Sequence, residues 1–183
     1  MKVLILSGSF HSASKSLLIA RHVQQYLASH TCDIPRLDAL PFYSEDLAAS
    51  KPDTVLALLA AVQKSDAIIC ITPEYNHSIP AVLKNALDWA SRPAFKSPLK
   101  DKPVTIITQA ESPVGGARAQ AHLKLVLDAT LSVVYPAHEM MITPVSRIVT
   151  AENGITDEAT TRRLSRHLDG FMAFVQARQT SPT

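Results

Sequence analysis

Glycine is scarce in this chain, with five residues in 183 against twelve prolines. Together with 46% apolar and 19% charged residues, that scarcity excludes collagen-like, low-complexity and disordered classes. Cysteine is scarcer still. Cys32 and Cys70 allow at most one disulfide and no four-cysteine zinc site. Cys70 lies inside an apolar run and reads as a small buried hydrophobe. Seven histidines show neither H-x-H nor H-E-x-x-H spacing, so no metal site is expected. No charge of one sign dominates: eighteen Lys and Arg offset sixteen Asp and Glu, for a net +2. Without a basic block, nucleic acid is not an expected partner. Long apolar runs are also missing, since none approaches the roughly 18 residues of a membrane span. Residues 1–7 are too short for a signal h-region and lack a small-residue cleavage site. The expectation is a soluble, cytoplasmic protein with no membrane contact. Its length suits one domain over residues 1–176, with a polar tail at 177–183 that frays.

What is present is a regular alternation. Apolar runs of strand length occupy residues 3–6, 67–71 and 104–107, with a broken fourth at 131–135 and 140–142. Runs that do not alternate with polar residues are buried on both faces, as in a parallel sheet covered by helices. Residues 33–37 are polar enough for an edge strand, the one place Pro35 is tolerated. Between these lie helical stripes. Ile79, Val82, Leu83, Ala86, Leu87 and Ala90 recur at i, i+3, i+4, i+7, i+8 and i+11. Similar stripes follow residues 14–16, span 52–64, run from Ala119 to Thr130, and close the chain from Leu164 to Val175. Thr156 is a candidate N-cap for that last helix. The pattern predicts a doubly wound α/β sheet with right-handed crossovers and helices on both faces.

In such sheets ligands bind beyond the carboxyl ends of the strands, where strand order reverses. Half of residues 7–16, after the first strand, are serine, five in ten. A serine-rich loop opening a helix can cradle a phosphate through free N–H groups, hydroxyls and the helix dipole. It can equally be a run of N-caps and turn formers. It is neither a Walker A loop, since Gly-Lys-Ser/Thr is absent, nor a dinucleotide fingerprint, which needs three spaced glycines. After the third strand come Pro73, Glu74, Tyr75 and Asn76, able to line a flat heterocycle or to form an ordinary turn. After the fourth come Ala110, Glu111 and Ser112, then Gly115 and Gly116. Gly8, Gly115 and Gly116 place most of the chain's glycine in these three loops.

The run Pro73-Glu74-Tyr75-Asn76, followed by Ser78 and Pro80, then Leu83-Lys84-Asn85-Ala86-Leu87-Asp88-Trp89 and Ser91-Arg92-Pro93, resembles the NADPH-dependent FMN reductase family. That flavodoxin-like group includes bacterial quinone, azo and chromate reductases. Gly115-Gly116-Ala117-Arg118-Ala119-Gln120 is similar to the family's third loop, and the likeness covers roughly residues 1–176. It implies a five-stranded parallel sheet of order 2-1-3-4-5 binding FMN at the switch point, in a homodimer or homotetramer. Ser9, Ser14 and Ser16 would hold the phosphate. Pro73, Glu74, Tyr75 and Asn76 would line the isoalloxazine with Ser78 close by, while Gly115 and Gly116 would let the third loop approach the ring. His11 stands where the family has arginine and supplies only a conditional charge, and Ser16 replaces an asparagine. Ala110-Glu111-Ser112 replaces a frequent Ser-Pro-Gly. Glu111 beside a flavin would disfavour its anionic reduced form and repel NADPH phosphates.

The implied activity is ping-pong electron transfer from NADPH or NADH to a small-molecule acceptor such as a quinone or azo compound. No side chain need be catalytic, because flavin N5 carries the hydride. Two alternatives are a flavin-binding electron carrier or sensor, and an interaction protein on the same fold that has lost flavin. A pI near 8.6 opposes the first, because such carriers dock partners through acidic faces. His11, Ala110 and Glu111 motivate the second. Trp89 and Arg92 fit an oligomer contact or a pocket wall equally well.

Overall fold

A computed structural model describes residues 1–152 and 154–180. In chain order the elements begin with β1 (Lys2–Ser7), α1 (Lys15–Tyr26), β2 (Thr31–Asp33), α2 (Glu45–Ala48) and α3 (Asp53–Lys64). Next come β3 (Ala67–Pro73), α4 (Ala81–Ala90), β4 (Pro103–Gln109), α5 (Ala117–Ala129) and β5 (Val133–Val134). The chain continues through β6 (Met140–Ile142), α6 (Val145–Ile148), β7 (Val149–Thr150), β8 (Gly154–Ile155) and α7 (Glu158–Thr180).

The main sheet is parallel with order β2-β1-β3-β4-β5, the expected flavodoxin-like arrangement. Its fifth position is shared. β5 pairs with the start of β4 at Pro103 and Val104, and β6 pairs with its end from Ile107 to Gln109. Pro136 lies in the gap between them. β7 and β8 form a small antiparallel ribbon.

Pleating separates two cores. Val3, Ile5, Ile69, Ile71 and Ile107 face α1 and α7, meeting Ile19, Val23, Leu168 and Phe171. Leu4, Leu6, Ile68, Cys70 and Ile106 face α3, α4 and α5, meeting Val55, Leu83, Trp89 and Leu123. Every residue of β3 and β4 is buried, which is why both strands read as continuous apolar runs. Each such side chain contributes about 1.5–3 kcal/mol of burial. Cys70 belongs to this core, and burial pushes its thiol up to about 12.

Four expectations need correcting. The edge strand covers Thr31–Asp33 rather than 33–37, so Pro35 follows it. Pro35 lacks the N–H a ladder needs, and pairing ends before it. The last helix is capped by Asp157, not Thr156: the Asp157 carboxylate accepts from Thr160 N–H at 2.7 Å. The same helix runs past Ala177 to Thr180. Gln176 through Gln179 are good helix formers, and Thr180 Oγ1 bonds back to the Gln176 and Ala177 carbonyls; residues 181–183 lie outside those described. Finally, Trp89 is fully buried rather than set at a surface or pocket wall. Its Nε1 donates to the Pro41 carbonyl at 2.8 Å, and Asn85 grips the same segment through Pro41 O and Tyr43 N. Arg92 lies 5.5 Å over the Tyr43 ring. These motif residues dock the 41–43 segment onto α4.

Candidate functional site

Three loops leave the carboxyl ends of β1, β3 and β4 and converge on one cleft of about 450 Å³. Its lining includes Ser9, His11, Pro73, Tyr75, Gln109 and Ala110.

The first loop folds tightly over β3. Gly8 N–H donates to the Ile71 carbonyl at 2.8 Å. A Cβ on Gly8 would stand 2.4 Å from Thr72 Oγ1, so only glycine fits this approach. Ser9 is buried, and its carbonyl accepts from Ser7 Oγ at 2.8 Å and Ser14 Oγ at 3.3 Å. Ser14 caps α1, its hydroxyl accepting from Leu17 N–H at 3.2 Å. That cap leaves the N–H groups of Lys15 and Ser16 without an acceptor among the described residues, at the positive end of a helix of 12 residues. Ser16 Oγ accepts from Gln109 Nε2 at 3.2 Å, locking the loop to the end of β4. His11 sits exposed at the rim. The Lys15 ammonium bonds the Val149 carbonyl at 2.7 Å.

The second loop is a tight hairpin turn. Tyr75 and Ser78 exchange N–H···O bonds at 2.9 Å each. Asn76 and His77 between them have φ of +48° and +64°, the type I′ conformation for which asparagine is favoured. Tyr75 projects half exposed beside the cleft. Ser78 turns the other way, its Oγ 2.7 Å from His122 Nδ1 on α5. The Glu74 carboxylate also reaches α5, accepting from the N–H groups of Arg118 and Ala119 at 3.0 and 3.1 Å and from the Arg118 guanidinium at 3.4 Å. It serves as the missing cap of that helix, whose N-cap residue, Gly116, has no side chain.

The third loop is stitched to the protein. Gly116 has φ of +87°, and a Cβ there would lie 2.8 Å from Thr108 Cβ. Thr108 Oγ1 donates to the Gly115 carbonyl at 3.0 Å. Close packing, of Gly116 on Thr108 in β4 and of Gly115 on Met141 and Thr143, therefore accounts for the double glycine, and neither residue is among those lining the cleft. Glu111 lines the cleft, and its carboxylate accepts from Ser146 N–H and Oγ at 2.9 and 2.7 Å, at the start of α6.

Of the residues singled out from sequence, Ser9, His11, Pro73, Glu74 and Tyr75 line the cleft. Ser14 and Ser16 lie at the helix start beneath it, and Asn76 is in the adjoining turn. Ser78, Gly115 and Gly116 face inward or toward α5. Gln109, Lys15 and Val145 are lining residues that sequence reasoning missed. Gln109 carried a signal, because like Ser7 on β1 it is a polar residue at the carboxyl end of an apolar strand.

The donor set suits a flat ring with an anionic tail. Two helix N–H groups with no acceptor among the described residues, and nearby hydroxyls, could hold the anion, and Pro73 and Tyr75 could line the ring. Among the described residues no group of His, Cys, Asp or Glu is placed to hold a metal, and no helix is long and apolar enough to cross a membrane.

A parallel sheet of this order with such a cleft at its switch point defines a flavodoxin-like flavin protein. The sequence profile of the NADPH-dependent FMN reductase family matches residues 1–145. The chain is 33% identical to a quinone reductase of Escherichia coli K12 over 182 residues, covering 96% of each chain. It is 33% identical to a 2-hydroxy-1,4-benzoquinone reductase of a Burkholderia species, covering 98% of each. Among solved structures, FerB of Paracoccus denitrificans, a flavoenzyme NAD(P)H:(acceptor) oxidoreductase, superposes with a TM-score of 0.86 at 32% identity, covering 96% of this chain and 97% of that one. The chain belongs to the NADPH-dependent FMN reductase family. It is an oxidoreductase that uses FMN and a reduced nicotinamide nucleotide.

Proposed function

We propose that residues 1–176 act as one FMN-binding unit that passes electrons from NAD(P)H to quinones, and to azo compounds of similar shape. The convergence of three loops on a single cleft carries this reading. The N–H groups of Lys15 and Ser16, with the Ser9 and Ser16 hydroxyls, would hold the FMN phosphate, and His11 would add charge only when protonated. Pro73, Tyr75 and the rigid turn at Asn76 would position the ring. When bound, FMN takes a hydride at N5 and returns electrons to an acceptor. The loops leave one side of the cleft open, so nucleotide and acceptor take turns there and steady-state kinetics are ping-pong. No side chain need act as an acid or base there, because the flavin carries the redox chemistry. Glu111 is less of an obstacle than its position in sequence implies, because Ser146 and the α6 terminus share its charge. The curated relatives named for quinone reduction support this acceptor class, and a cytoplasmic homodimer or homotetramer accords with it.

The test is an absorption spectrum of FMN-loaded protein before and after anaerobic NADPH or NADH. A flavin band that bleaches and returns on adding a quinone is expected. Colourless protein that takes up no FMN, or bound FMN that no nucleotide reduces, overturns the proposal.

A further inference from the structure

A second cleft, of about 540 Å³, lies on the other side of the serine loop, over the carboxyl ends of β1 and β2. Ser9 and His11 line both clefts, so the serine loop lies between them. The second cleft has an apolar floor of Leu17, Ile34 and Pro35 and a wall formed by Phe10, whose ring is 55% exposed. An aromatic held out over an apolar floor is suited to sandwich a flat base. Asp33 and Arg21 complete the lining. Neither makes a hydrogen bond or ion pair among the described residues, whereas Arg36 is held by Asp38. Asp33 is the last residue of β2. In dinucleotide-binding doubly wound sheets, whose glycine fingerprint this chain lacks, an acidic side chain past the first βα turn accepts a hydrogen bond from an adenosine ribose hydroxyl, and Asp33 offers the same chemistry here.

We propose that this cleft binds the adenosine half of the nicotinamide nucleotide. The base lies between Phe10 and the Ile34–Pro35 floor, Asp33 accepts from the ribose 2′-hydroxyl, and Arg21 meets a phosphate. The inference deepens the nicotinamide-dependent activity proposed above and rests on it. It also sets a preference. Asp33 and Asp38 offset Arg21 and Arg36 in this cleft, so a 2′-phosphate gains no net cationic field and faces the Asp33 carboxylate directly. The site favours NADH over NADPH.

Calorimetric titration of the FMN-loaded full chain with 5′-AMP and with 2′,5′-ADP tests both statements. 5′-AMP should bind about tenfold more tightly than 2′,5′-ADP. Asp33→Asn should abolish that discrimination, and Arg21→Ala should weaken both ligands by a similar factor, with FMN affinity unchanged in each variant. The wild-type comparison stands even if a variant misfolds. No binding of 5′-AMP, equal binding of the two nucleotides, or indifference to both substitutions in folded protein overturns the proposal. A chain that takes up no FMN but still discriminates the nucleotides through Asp33 would sink the flavin reading and keep the adenosine site.

Discussion

The loops after β1 and β4 look alike in composition, both polar and both carrying glycine, yet they spend their hydrogen-bonding groups differently. The first satisfies itself sparingly. Ser14 caps one N–H of α1, and the N–H groups of Lys15 and Ser16 have no acceptor among the described residues. In the second, Ala110 N–H donates to the Ile142 carbonyl, Val145 N–H donates to Ala110, and Thr143 Oγ1 donates to Ser112. Glu111 is taken by Ser146. The loop after β4 is the more tightly tied to its neighbours, with side-chain and backbone bonds to 142–146, while the free donors of the first loop sit at a helix start, where an anion is favoured. In the proposed site the first loop would hold the phosphate, while the later loops would frame the ring.

The strongest way to break this contrast is Gly8→Ala. The added carbon meets Thr72 Oγ1 at 2.4 Å, so the loop must lift from β3 and carry its free donors with it. Overpacking of this kind costs about 1–3 kcal/mol. FMN affinity should fall by roughly tenfold or more, as each ~1.4 kcal/mol of lost alignment is a decade. Urea unfolding and flavin fluorescence quenching read the two effects. Unchanged FMN affinity would show that the loop's position is immaterial.

Glu74→Ala should do the reverse, hurting the frame more than the ligand. It removes the acceptor for two α5 N–H groups and for Arg118, and losing a cap costs about 1–2 kcal/mol. The carboxylate's side chain is 9% exposed, so water restores little of this. The unfolding midpoint should drop while FMN affinity changes less than in Gly8→Ala. A larger loss of FMN affinity than of stability would return Glu74 to the ring.

The frame rather than the ligand loop also governs acid sensitivity. His167 is half-buried against Tyr135, with Nε2 2.7 Å from Thr105 Oγ1. Burial lowers its pKa below 6.5, and that of His22 moves the same way for the same reason. The unfolded chain therefore binds protons that the folded chain refuses. Stability is flat above pH 6.5 and declines as pH falls toward the folded values, by at most about 1.4 kcal/mol per pH unit for each group. Denaturant midpoints at pH 7.5 and 5.5 check this, and His167→Gln should flatten the difference.

These contrasts mark what the sequence made legible. β1, β3 and β4 could be read because strands buried on both faces lose all alternation, and their order then located the cleft. β2 starts two residues and ends four residues before the expected 33–37, because an edge strand is polar and weakly patterned. The site resolved less well where partners are remote in sequence. Nothing near Glu74 announces that Arg118 and Ala119 will present their N–H groups to it, and nothing near Ser78 announces His122. Glycines in a candidate binding loop suggest approach to a ligand, but at Gly116 the approaching group is Thr108. A motif names residues that belong together; only packing says whether they face the ligand or one another.

Glu111 supplies the finest test, because it belongs to both regions. It lines the cleft, yet two bonds from Ser146 hold it. Were its charge directed at the flavin and nucleotide, Glu111→Gln would lower the KM for NADPH by about tenfold, as expected for removing a facing repulsive charge. With the carboxylate held on the start of α6, glutamine keeps the acceptor oxygen and loses only a screened, exposed charge. The stability change should then stay within about 0.5 kcal/mol and the KM change below about twofold. A tenfold gain in NADPH affinity with unaltered stability would mean that the third loop reaches the ligand after all, and the two loops would no longer differ in kind.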